Sequence, residues 1–155
     1  MVKQMSEILE KIIKEKISAD HLLYVSMKYT KTCDVMINII KRWKVMIEYA
    51  LDGLLEKAKK KKLVKIIPIA PKLKIDLIRK EFAKNSEVIN ALNEYELFKL
   101  IDVLPKLKEN EFRKGVCLRV TYKGIEIPIN LDKLKDYSEI LERFINYTKL
   151  FLNSK

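Results

Sequence analysis

Apolar residues at Val2, Met5, Ile8, Leu9, Ile12, Ile13 and Ile17 recur at helical spacing, which predicts a first amphipathic helix over about 3–17. Ser18 or Asp20 is of the type that caps a helix starting after it. From Leu22 a heptad-like register passes through Ser26, Tyr29, Cys33, Met36, Ile40, Trp43, Ile47, Ala50 and Leu54, and no Pro or Gly interrupts it before Gly53. It predicts either one helix over about 20–62, roughly 60 Å long at 1.5 Å per residue, or two collinear helices meeting near Thr30-Lys31-Thr32. Leu23, Ile37, Ile39, Met46, Leu51 and Leu55 widen the stripe beyond a coiled-coil seam, to the width of a bundle core. A rod of that length would outrun a compact chain of this size, whose radius of gyration is about 15 Å. It therefore breaks near residue 31, or its exposed end pairs with a second subunit, which makes a homodimer an expected state.

The pattern then changes. Lys59 to Lys62 end the long helix where cations complement the macrodipole. Leu63-Val-Lys-Ile-Ile-Pro-Ile-Ala-Pro71 reads as extended, because each proline disfavours helix in the residue before it. Further helices are predicted over about 72–84, about 87–104 (capped by Asn85-Ser86 and closed by Pro105) and about 132–153. Between the last two, Val116–Tyr122 and Ile125–Ile129 flank the turn residues Lys123-Gly124, a strong hairpin signal. The fold class is mainly α: an up-and-down helical bundle of five to six helices, with one β-hairpin inserted before the C-terminal helix. All 155 residues belong to a single domain.

Charge sharpens this picture. The formal net charge is +11, from 32 Lys+Arg against 21 Asp+Glu. Residues 1–56 and 85–155 each carry a net +1, whereas residues 57–84 carry eleven basic side chains against Asp76 and Glu81, a net +9. The excess is local. Three glycines exclude a Gly-rich phosphate loop. One His and two distant Cys exclude a zinc finger, so neither metal nor cofactor is expected. The charged N-terminus predicts no signal peptide, no apolar run is long enough to span a membrane, and Cys33 and Cys117, far apart in a chain that needs no staple, suit a reducing cytoplasm. The abundance of Lys over Arg, 27 to 5, is of the kind met in thermophiles.

Four groups of residues are candidates for chemistry. Lys59, Lys60, Lys61, Lys62, Lys65, Lys72, Lys74 and Arg79 form an anion- or nucleic-acid-binding segment. Only one of its cations is Arg and its only aromatic is Phe82, so base readout and stacking are not expected of it. Glu109, Glu111, Arg113 and Arg119 lie around a polar loop and would either line a pocket or brace the hairpin. Glu48, Asp52 and Glu56 share one helix face, which reads as solvent-facing. His21, the only histidine, has no partner selected by spacing, so a capping or surface role is expected.

Three stretches together resemble a known family. Leu23-Tyr-Val-Ser-Met-Lys-Tyr-Thr-Lys-Thr32, Ala50-Leu-Asp-Gly-Leu-Leu55 and Asn110-Glu-Phe-Arg113 look like those of uncharacterised archaeal HEPN-type helical bundles. Many HEPN proteins are ribonucleases carrying an Arg followed four to six residues later by a His. Here the only His, His21, precedes the first Arg, Arg42, so that motif is missing. The resemblance thus implies a non-catalytic, dimeric module binding nucleotide, RNA or a partner protein. A nuclease using Glu109, Glu111 and Arg113, or a purely structural homodimer, are the alternatives.

Overall fold

The computed structural model describes residues 2–155, with side chains from Met5 onward, so the expected core position of Val2 lies outside the described side chains. The chain is mainly α. It runs α1 (Val2–His21), a π-helical turn (Leu22–Ser26), α2 (Met27–Tyr29), α3 (Cys33–Lys60), α4 (Pro71–Glu81) and α5 (Ser86–Phe98). Then follow β1 (Lys106–Glu109), β2 (Cys117–Tyr122), β3 (Ile125–Ile129) and α6 (Leu131–Leu152).

The start of the chain differs from the sequence expectation. No helix begins at Ser18 or Asp20. The first helix instead continues through His21 and a π-turn to Tyr29, keeping Ala19, Leu23 and Met27 buried. The break falls at Thr30-Lys31-Thr32, but the two helices are not collinear. Arg42 on α3 reaches back to Glu15, and Gly53 sits against Ile8, so α3 runs antiparallel to α1. The heptad register therefore spans a reversal, and its member Tyr29 is exposed, as is Ile17. Thr32 enforces the restart. Its extended backbone cannot continue the helix, and its Oγ1 accepts the Val35 N–H at 3.3 Å.

Gly53 lets three helices pack closely: a Cβ there would lie 3.0 Å from Ile8 Cγ2 and 3.3 Å from Leu152 Cδ1, so a larger residue would require those side chains of α1 and α6 to shift by a few tenths of an ångström. Trp43 of α3 stacks on Phe98 of α5, and Tyr137 of α6 meets both rings edge-on, at centroid distances of 5.8, 6.3 and 5.1 Å. Lys16 bonds Asp20 and Glu142 at 2.8 and 2.9 Å, tying α1 to α6.

The expected hairpin is present, with Lys123 and Gly124 both at positive φ as a type I′ turn requires. A third strand, β1, pairs antiparallel to β2 and makes the sheet order β1-β2-β3. Leu118, Val120 and Ile129 face the helices. Lysines on β1 and Pro128 on β3 stand on the two edges, where they discourage further strand pairing.

Candidate functional site

The lysine-rich segment is built from three pieces. The end of α3 closes in a Schellman motif: Lys62 takes φ 63°, its N–H donates to Lys59 O, and the Leu63 N–H donates to Ala58 O. The chain then runs through 63–70 without helix or strand, bending at 63, 65, 69 and 70 rather than staying extended as the prolines predict. Val64 is buried and Ile67 packs on the core, while Ile66 and Ile69 point outward, 79% and 94% exposed. Pro71 starts α4, where its missing N–H leaves no donor wanting. Ile75, Ile78 and Phe82 bury one side of α4, and the Phe82 ring meets Phe151 and Tyr147 of α6 edge-on at 5.3 and 6.4 Å.

Two of the eight candidate cations are not free. Lys74 Nζ lies 3.4 Å from Asp52 Oδ1, joining α4 to α3. Arg79 reaches Glu96 at 3.6 Å and Asn93 at 3.2 Å, joining α4 to α5. Burial alone would raise the Glu96 carboxyl, but Lys99 and Arg79 outweigh it and hold the carboxyl below its ordinary range. Lys59, Lys60, Lys61, Lys62, Lys65 and Lys72, with Lys57, Lys80 and Lys84, make no ion pair among the described residues. Lys61 instead lies 5.1 Å from the Phe151 ring centroid. The 57–84 segment thus carries nine lysines with no anionic partner among the described residues, against Asp76 and Glu81.

Sequence reasoning missed the apolar half of this face. Leu63, Ile66, Ile69 and Leu73 are all more than half exposed. Beside them Ile66, Pro68, Leu73 and Leu77 line an open notch of about 370 Å³, with Asp76 and Lys80 on its rim. The signal was in the sequence: 63–71 is rich in Leu, Val and Ile, yet its two prolines bar it from a sheet interior.

The second candidate group is divided among structural tasks. Arg119 on β2 is hydrogen-bonded through Nε to Glu109 on β1 and through Nη1 to Glu126 on β3 at 3.0 Å, a clamp across all three strands. Those two carboxylates, Glu109 foremost, raise the Arg119 guanidinium further. Glu111 Oε1 accepts the Cys33 N–H at 3.2 Å, which places a carboxylate at the N-terminus of α3. Arg113 is exposed.

Glu48 and Asp52 are less idle than a solvent-facing stripe. They border an opening of about 350 Å³ between α3, α4 and α5, where Glu48 accepts the Tyr95 hydroxyl at 2.7 Å. Glu56 borders an adjoining opening. Burial first, then the Glu48 bond, raises the Tyr95 hydroxyl above its ordinary value. His21 is exposed and its side chain caps nothing, while the Cys33 thiol donates to Cys117 O at 3.4 Å, so no histidine–cysteine couple forms. Among the described residues no three His, Cys, Asp or Glu side chains gather as a metal site. No helix among them is long and apolar enough to cross a membrane.

No family model matches the chain, and neither a curated protein nor a solved structure matches it.

Proposed function

We propose that this chain is a non-catalytic binding and assembly module that contacts an anionic ligand through the face built by residues 57–84. The observation that carries the reading is the set of nine lysines in the 57–84 segment that make no ion pair among the described residues. Each phosphate or carboxylate they neutralise releases counterions and adds a salt-dependent increment of affinity. The two internally paired cations, Lys74 and Arg79, link α4 to α3 and α5 and leave the others free. The reading includes a HEPN-like, up-and-down helical bundle without the ribonuclease motif, acting in the cytoplasm, and a homodimer formed away from this face. Nucleotide or RNA phosphates are the ligands that the resemblance adds.

A fluorescence titration of labelled RNA and duplex DNA across salt tests the contact. Binding at low salt should fall linearly in log–log form, and Lys60→Gln with Lys62→Gln should flatten the slope by about 1.4 for RNA, at roughly 0.7 per phosphate contact. No binding at low salt, or binding indifferent to salt, overturns it. A nuclease would instead cleave the RNA in the presence of Mg²⁺ and lose that cleavage in Glu111→Gln. The separate tasks of Glu109 and Glu111 speak against that outcome.

A further inference from the structure

Charge alone does not account for the 57–84 face. A phosphate-tracking surface has no need of four exposed aliphatic side chains, and this one sets Ile66 and Ile69, 79% and 94% exposed, among its lysines. Lys65 and Lys72 are the chain neighbours of Ile66 and Leu73, and Lys80 stands on the rim of the notch lined by Ile66, Pro68, Leu73 and Leu77. An apolar centre inside a charged rim is the anatomy of a protein–protein contact. The absence of Arg from the free cations and of aromatics from the patch removes the devices that read nucleic acid.

The charge also decides which protein. Two copies of this chain meeting symmetrically through this segment would bring its unpaired +7 against +7, so a second copy is opposed. An anionic bilayer would satisfy the lysines, and its choline and ammonium headgroups Asp76, but it offers no discrete side chain to seat in the notch of about 370 Å³. A helix with one apolar stripe and mostly acidic flanks supplies all three: aliphatic knobs for the notch, carboxylates for the lysines, and an occasional cation for Asp76.

We infer that the notch between the 63–70 segment and α4 docks an acidic amphipathic helix of a partner protein, with Ile66 and Leu73 taking its apolar stripe and the surrounding lysines its carboxylates. The inference rests on the anionic-contact reading above and names the partner class for the same face.

The test uses the full chain and four probes: a labelled 18-residue peptide with Leu at i, i+3, i+4 and i+7 spacing and Glu on the flanks, its scramble of identical composition, a labelled RNA 18-mer, and vesicles of 70:30 phosphatidylcholine:phosphatidylserine. The patterned peptide should bind about tenfold or more tighter than its scramble, as expected when a few partly buried aliphatic contacts are added to charge. The double variant Ile66→Ser/Leu73→Ser should erase that preference and leave RNA binding within about twofold. Both positions are more than half exposed, so the variant keeps its fold, and circular dichroism checks it. Equal binding of peptide and scramble, or a double variant that retains the preference, overturns the inference while the anionic-contact reading stands. Vesicle binding that exceeds peptide binding and is lost in Ile69→Ser overturns it in favour of a lipid surface. Failure of every probe to bind at low salt overturns the anionic-contact reading itself.

Discussion

Phe82 is the side chain on which the position of α4 turns. The helix has only Ile75 and Ile78 buried along its length, and Phe82 at its C-cap is 6% exposed between Phe151 and Tyr147. Phe82→Ala removes a buried ring, worth about 1.5–3 kcal/mol of transfer free energy, and two aromatic pairs of about 0.5–1.5 kcal/mol each. The total agrees with the roughly 3–5 kcal/mol that buried Phe→Ala changes cost. At about 2–4 °C per kcal/mol for a chain of this size, Tm should fall by about 6–20 °C. Phe82→Leu keeps most of the burial and loses only the ring pairs, so it should cost about 1–3 kcal/mol. Urea unfolding gives both numbers. Hydrogen exchange adds the location: in Phe82→Ala the amides of α4 should lose protection before those of α3 and α6, because few other side chains hold α4. A loss below about 1 kcal/mol for Phe82→Ala, or protection lost evenly across the chain, would refute this account of how the lysine face is held.

Three further outcomes follow from local geometry. Gly53→Val places carbon where Ile8 and Leu152 leave 3.0 and 3.3 Å, and overpacking of this kind should cost about 1–3 kcal/mol in urea unfolding. Lys62→Gly relieves a left-handed backbone at φ 63° and should raise stability by about 1 kcal/mol, whereas Lys62→Ala, which keeps a Cβ, should not. Burial, aided by the Glu111 carboxylate, pushes the Cys33 thiol up to about 11, and burial raises Cys117 as well. Both folded thiols hold protons more tightly than unfolded ones. The contribution of each to stability is therefore complete below the ordinary value of 9.0 and lost as pH rises through its raised value, about 11 for Cys33, while at pH 8 a thiol reagent should label neither in the native protein. Rapid labelling of Cys33 without unfolding would contradict the burial.

Elements with strong periodicity were legible in the sequence: α3, α6 and the β2–β3 hairpin fall where apolar spacing puts them. The break at Thr30-Lys31-Thr32 was legible as a position but not as a reversal. Heptad spacing says which residues share a face and nothing about whether the chain turns back, so Tyr29 and Cys33 looked alike although one is exposed and the other buried. Strand β1 was invisible because Lys106-Leu-Lys-Glu109 has no apolar alternation; its partner β2 makes it a strand. At the candidate site the charge was legible to the residue. Which cations were already committed was not, since Lys74 and Arg79 find Asp52 and Glu96 only across tertiary contacts.

Those contacts reveal a division between the two kinds of cation, and the division has kinetic consequences. Three of the five arginines join separate elements: Arg42 to Glu15, Arg79 to Glu96, Arg119 to Glu109 and Glu126. The unpaired cations of the 57–84 face are all lysines, which are strongly hydrated point charges on flexible stems. Such charges attract an anionic partner at a distance and impose little geometry on it. The aliphatic notch acts only at contact. The two should therefore separate in stopped-flow binding of the patterned acidic peptide. Lys60→Gln/Lys62→Gln should slow association and weaken its salt dependence while leaving dissociation nearly unchanged. Ile66→Ser should speed dissociation about tenfold and leave association within about twofold. If the lysine variant changes only dissociation, or the isoleucine variant only association, then attraction and docking are not divided between lysines and notch, and the face works as one charged surface.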